Sequence, residues 1–326
     1  GVPMKRAVIF AIALAAAFGC SEDFNPTTSG PRPYVVFAIL NPALDTQIVR
    51  IHATSAPTDA NPRTLPVPDA SVVVLGPTGT IPFQLVDLPG TPGTPDSVIP
   101  AFRAAPFRPI RGASYTLVVT TTEGIATGTL EVPDFSTGTM IARDFVIIQQ
   151  PHTYPLDAPI TIASFLARQT LGYMVQFQIE YEVLKNATWE LEYREVPTAY
   201  VSENGPTDFV ALYPKMVRRS ASAMVGSGLQ TSEMSVYLNR AYEKTISLIH
   251  AQYGSANIRM RRAVFLLQQA DRHFFTYYSF ANSFQDRFTI RVDQPDYSNI
   301  NGALGFFGSL AIDTLAYALP INLRPR

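Results

Sequence analysis

Tyr173 to Val183 reads YMVQFQIEYEV, and in it Val175, Phe177, Ile179, Tyr181 and Val183 alternate with Gln176, Gln178, Glu180 and Glu182. Successive side chains of a strand point to opposite faces, so a strict period of two predicts a β-strand with one buried and one wet face. WELEYREV repeats the alternation with Trp189, Leu191 and Tyr193 on one face. The short LKNAT stretch between the two runs makes them a hairpin.

Shorter versions of the same signal fill the chain from Tyr34 to about Pro133. YVVFAIL, QIVRIHA, ASVVVLG, TIPFQLV, SYTLVVTT and IATGTLEV each read as strands, with Pro, Gly, Asp or Asn between them. LPGTPGTPDS, from Leu88 to Ser97, is a loop that no regular element could contain. Repeated short strands at this spacing predict a β-sandwich over 34–134. PVPDASVVVLGPTG and RGASYTLVVTTTEG resemble transthyretin-like and immunoglobulin-like modules, which supports a fold and no activity.

A second β-rich domain is expected over 135–326, opening with ARDFVIIQQ. EKTISLIHAQ and IRMRRAVFLLQQ predict another hairpin around YGSAN. ADRHFFTYYSFANSF, near 270–284, predicts the one helix of this half, with Asp271 in its first turn and His273, Tyr277, Phe280 and Phe284 on one face. The fold class expected is therefore mainly β, a sandwich followed by a β-rich domain with one helix. Composition agrees: 27 prolines suit many turns, and 47% hydrophobic residues are enough to build a core.

The N-terminus carries a different signal. Lys5 and Arg6 precede AVIFAIALAAAFG, an apolar run with small residues at its end, the pattern of a signal peptide over 1–19. The run is shorter than the roughly 20 residues that span a bilayer core. Cys20, the only cysteine, follows at once, and AFGC resembles the bacterial lipobox, with Gly19 the small residue before the lipid-bearing thiol. Ala17 and Phe18 depart from the usual residues of that motif. A lone cysteine has no internal disulfide partner, which lipidation explains. SEDF, with Ser21, Glu22 and Asp23, resembles the acidic export signal of surface-displayed lipoproteins of Bacteroidota; an ordinary acidic linker is the plainer alternative. NPTTSGPRP completes a flexible spacer over 20–33. These readings place the protein at the cell outer membrane, lipid-anchored and facing outward.

Loss of residues 1–19 would leave 23 basic against 26 acidic side chains, a net charge of −3. That is too weak and too mixed to suggest nucleic acid as a partner.

Tyr297-Ser298-Asn299-Ile300, Gly302, Gly305, Phe307 and Gly308 follow the aromatic helix and an extended segment. Together they resemble the closing SNI-x-G-x-x-G-x-FG segment of an uncharacterised family of Bacteroidota outer-membrane lipoproteins. The resemblance implies a lipobox, an N-terminal β-sandwich and, as partner, a neighbouring TonB-dependent receptor. It implies no chemistry, and the glycines themselves read as tight turns or close backbone packing.

Candidate sites are few. H-E-x-x-H, G-x-S-x-G, P-loop and EF-hand patterns are absent from the sequence. His52, His152, His250 and His273 are scattered without metal-ligand spacing, and His250 reads as a hydrogen-bonded residue on an apolar strand. Glu180 and Glu182 share a face of their strand, and Glu190 and Glu192 are expected on that same face of its partner. Like charges so placed need compensation. Arg259, Arg261 and Arg262 supply one solution, a solvated face another, and Ca²⁺ or a glycosidase-like carboxylate pair the sharper ones. The aromatic helix reads as core packing or, alternatively, as a sugar-stacking face. NAT at Asn186 to Thr188 matches a eukaryotic glycosylation acceptor and is incidental in a bacterial protein. The expectation is a non-enzymatic accessory or ligand-binding subunit without a cofactor. An extracellular hydrolase and a structural or adhesive surface protein are the alternatives.

Overall fold

The structure, a computed structural model, describes residues 34–53, 65–67, 69–89, 98–136, 140–143, 145, 158–202, 209–219, 232–283 and 297–323. The lipobox, SEDF, the spacer, His152 and Phe284 lie outside the described residues, as does the Pro/Gly loop beyond Pro89.

The first eight strands are β1 (Tyr34–Leu40), β2 (Gln47–Ala53), β3 (Leu65–Pro66), β4 (Ser71–Gly76), β5 (Gly79–Pro89), β6 (Val98–Ala104), β7 (Ser114–Thr121) and β8 (Gly124–Glu131). Along β5, residues 79–83 pair with β4 and residues 84–89 pair with β6, so this one strand turns the corner between two sheets. Val36, Val49 and Ile51 of one sheet share a core with Val72, Val74, Leu117 and Val119 of the other. This is a β-sandwich, and its strands alternate in burial as the period of two demands.

Beyond it come β9 (Ile141–Arg143), β10 (Pro159–Ser164), β11 (Gly172–Lys185), β12 (Thr188–Val196), β13 (Ala199–Ser202), β14 (Phe209–Leu212), β15 (Val217–Arg218) and β16 (Ser232–Leu238). Helix α1 (Asn239–Tyr253), β17 (Ile258–Ala270), helix α2 (Arg272–Ser283), β18 (Ile300–Asn301) and β19 (Leu304–Ala318) complete the chain. β12, β11, β17 and β19 form an antiparallel run. Val175, Phe177, Ile179, Tyr181 and Val183 line its inner face, in one core with Tyr237 and with Tyr242, Ile246 and Ile249 of α1.

Here one expectation is corrected. EKTISLIHAQ is helical, within α1, so the described residues of this half hold two helices where one was expected, and β17 pairs with β11 and β19 instead. Ala241, Tyr242, Thr245, Ile246 and Ile249 are buried at helical spacing, and tertiary packing holds Thr and Ile in a helix despite their strand preference.

The β11–β12 hairpin turns through Asn186 and Ala187 alone, at φ 48° and 63°, with Lys185 opposite Thr188. Both central residues of such a turn adopt positive φ, which Asn tolerates and Ala does not. Ala187→Gly is therefore expected to stabilise the protein by about 1 kcal/mol, read as an increased urea midpoint with unchanged slope. An unchanged or lower midpoint would contradict the strain.

The C-terminal segment ties the two cores together. β18 pairs with β8, and Ile300 and Phe307 lie in the sandwich core. Residues 304–309 of β19 run parallel to β1, and residues 310–318 run antiparallel to β17. At about 3.3 Å per residue, its 15 residues reach about 50 Å. The SNI-x-G-x-x-G-x-FG residues are its fastening. The Asn299 amide donates to Phe307 O at 2.7 Å and accepts from Phe307 N at 2.9 Å. Gly305, at φ +113°, has Val36 O 2.0 Å from where a Cβ would stand, so no other residue fits.

A polar joint lies between the cores. Arg111 donates to Asp313 Oδ1 at 2.8 Å and also to Ile312 O. Asp313 Oδ2 accepts from Gln269 Nε2 at 2.7 Å and from Ser136 N at 3.1 Å. Gln269 Oε1 in turn accepts from Ala167 N and Thr170 Oγ1. Nearby, Asp271 caps α2, accepting from Phe274 N at 2.7 Å, and its own N–H donates to Ser309 O. Tyr277 of α2 stacks on Phe306 at 4.6 Å and Phe274 meets the same ring edge-on, so this part of the helix packs on β19.

Candidate functional site

Tyr34, Ala53 and Leu304 mark one end of the long sheet. The opposite end carries the 186–187 turn, the 254–257 turn and residues 319–323. A cleft of about 450 Å³ lies at that far end, between Glu180, Glu182, Leu191, Arg261, Arg262 and Ile321. Met260, Ala318 and Leu319 complete its lining.

Register builds it. Glu180 stands opposite Tyr193 and Glu182 opposite Leu191, on the face away from the core. On the other side of β11, the pairing shifts between Glu180 and Tyr181, leaving Arg261 as an extra residue in β17. Arg262 then forks onto Glu180, with Nη2 3.0 Å from Oε1 and Nε on Oε2. The Arg261 Nε lies 3.5 Å from Glu182 Oε1. Glu180 is buried, which a bidentate arginine partner makes tolerable. Arg259 instead lies 3.9 Å above the Trp189 ring.

Glu190 and Glu192 sit elsewhere, and the expected single row of four acids is corrected. Tyr181 stands opposite Glu192 and Val183 opposite Glu190, so these acids emerge on the core side of the sheet, beside α1. A two-residue turn pairs even residues of β11 with odd residues of β12, which puts the two acid pairs on opposite faces. Glu192 accepts from Lys185, from Tyr253 Oη at 2.8 Å and from Tyr181 Oη at 3.2 Å. The Lys185 bond, followed by that of Tyr253, holds its carboxyl below the ordinary range. Glu190 pairs with the same lysine at 3.4 Å. All four acids thus have cationic partners. Among the described residues no three His, Cys, Asp or Glu side chains gather to hold a metal.

The histidines take structural places. His250, on α1 rather than a strand, bridges Ser255 Oγ at 2.9 Å and Leu323 O at 2.8 Å. His52 stacks on Phe37, and burial lowers its pKa. His273 meets Tyr297 Oη at 2.7 Å, and burial lowers it likewise. No described helix is long and apolar enough to cross a membrane. Cys20, Ser21, Glu22 and Asp23 belong to the undescribed N-terminus, with β1 beginning 14 residues after the cysteine.

Sequence reasoning missed the Trp189–Arg259 platform, although it singled out both residues. Arg259 stands opposite Glu182, and Glu182 opposite Leu191, two residues from Trp189. That diagonal needs the pairing of three strands.

No family profile matches the chain, and no curated protein sequence matches it either. Among solved structures it is similar to the C-terminal globular domain of an oligosaccharyltransferase from Pyrococcus abyssi, at 9% identity and a TM-score of 0.22. The match covers 90% of this chain and 50% of that one, so the chain spans about half the length of that protein. So loose a superposition carries no argument about function.

Proposed function

We propose that this protein is a surface-exposed outer-membrane lipoprotein that serves as a non-enzymatic docking or ligand-binding subunit, with a TonB-dependent receptor as its neighbour. The observation that carries the reading is Cys20, a lone cysteine placed directly after a charged start and an apolar run. Several acyl chains on that residue anchor stably where one does not. The geometry supports a docking role. A tether ending at Tyr34 enters the near end of the sheet, and the cleft with its exposed Leu191 and Ile321 stands at the other, about 50 Å away along β19. Each cleft carboxylate is already engaged by an arginine, which suits a recognition surface better than an acid–base pair.

The test is metabolic labelling with a palmitate analogue, combined with protease shaving of intact cells. The wild-type chain is expected to be labelled and cleaved. Cys20→Ala is expected to lose the label and leave the membrane, and Glu22→Ala with Asp23→Ala to keep the label but escape the protease. A labelled Cys20→Ala variant would sink the anchor, and equal cleavage of the acid variant would reduce SEDF to a linker.

A further inference from the structure

We infer that the free edge of β12, with the Trp189–Arg259 platform beside it, binds an extended polypeptide segment of a partner protein by strand addition, the segment bringing a carboxylate to Arg259. This deepens the docking reading and depends on it only for the orientation of the edge away from the membrane.

β12 ends the sheet order, and among the described residues nothing hydrogen-bonds to its outward-facing main-chain groups. Long exposed edges are ordinarily blunted by lysine, proline or a bulge. β12 has nine residues, no lysine, no proline and unbroken register with β11, and its core-side acids Glu190 and Glu192 are already engaged by Lys185. Its outer face presents Trp189, Leu191 and Tyr193, the last two about half exposed. An added strand would supply the missing ladder and place alternate side chains against that row.

Charge then selects the occupant. Of the three arginines at this end, Arg262 and Arg261 are engaged by Glu180 and Glu182. Arg259 is exposed, with its Cζ 3.9 Å from the centroid of the Trp189 ring, and among the described residues no acceptor meets its N–H groups. A guanidinium held on an indole keeps its planar donor edge available, in the geometry that takes a carboxylate. Tryptophan, tyrosine and arginine are also the residues that dominate interface energetics. The fitting segment carries apolar residues and one carboxylate on one face and uncharged polar residues on the other.

Trp189 is the only tryptophan in the chain, so its emission reports on this site alone. The probe is an acetylated, amidated heptapeptide of alternating threonine and valine with one valine replaced by glutamate, titrated into the full-length chain in detergent micelles. A saturable change in emission is expected. Affinity should fall by about tenfold or more when lysine replaces the glutamate or in Arg259→Gln, the loss of one charge-assisted contact. N-methylation of the peptide backbone should abolish binding, while the melting temperature of Arg259→Gln stays unchanged. No saturable change up to millimolar peptide, equal affinity for the lysine peptide, or undiminished binding by Arg259→Gln would overturn the proposal. So would a dimer in sedimentation that Leu191→Lys makes monomeric, because a second copy would then occupy the edge. Palmitate labelling is indifferent to all of these results, so either reading can fail without the other.

Discussion

Asp313→Ala is expected to cost about 3–5 kcal/mol of unfolding free energy, the effect of removing one partner from a buried ion pair. Arg111 and Asp313 are only 10% and 12% exposed, so the abandoned guanidinium has little water to turn to. The same substitution strips Gln269 Nε2 and Ser136 N of their acceptor. Arg111→Leu with Asp313→Leu should recover the part of the loss that comes from the unpaired charge, while Gln269 Nε2 and Ser136 N still lack their acceptor. Glu131→Ala gives the contrast. Its partner Arg168 is 85% exposed, and a surface pair of this kind is worth about 0–1 kcal/mol. Urea unfolding of the variants measures all of this. A loss below about 1 kcal/mol for Asp313→Ala would mean that the joint does not hold the cores.

Asp271 predicts a slope with pH. Burial pushes its carboxyl up from 3.8 to about 7, against the hydrogen bonds from Phe274, Ser309 and His273 that pull it down. Below about pH 4 the group is protonated folded and unfolded, and it costs nothing. As pH rises towards 7 the unfolded chain releases this proton while the folded chain keeps it, so stability falls; above 7 the loss is complete. The difference between the two values corresponds to a loss on the order of 4 kcal/mol between those limits. Burial lowers the pKa of His273, which acts in the opposite sense, because it disfavours the folded state as pH drops. The difference between wild type and Asp271→Asn isolates the carboxyl. Asparagine keeps the cap acceptor, so the variant should match wild type near pH 4 and exceed it clearly at pH 8. Parallel stability curves for the two proteins would show that the carboxyl ionises as freely in the fold as out of it.

What could be read from the sequence was whatever the chain settles locally. β1 and β2 begin and end where alternation and turn residues place them, because each strand's burial follows its own period of two. The helix near 270–284 was legible from aromatic spacing and from Asp271, which proves to be its cap. From Glu243 onward the sequence of α1 resembles a strand, and its helical spacing shows only when Ala241 and Tyr242 are included. The split of the four acids was implicit in the two-residue turn, whose parity decides faces, but a shared alternation hid it. Other features have no local trace. Val35 meets Leu304 across most of the chain, and the shift that frees Arg261 arises only when β17 lies against β11.

The parallel contact of β1 with β19 has a mechanical consequence. A load applied at the Tyr34 end and resisted at the far end would pull these two strands in opposite directions along their length. The six paired positions from Val35 to Leu40 would then bear the force together, in shear, instead of peeling one after another. Gly305 is one of those positions, opposite Val36, and Asn299 clamps Phe307, another of them, so the residues that fasten the C-terminal strand are also those through which tension would cross from one core to the other.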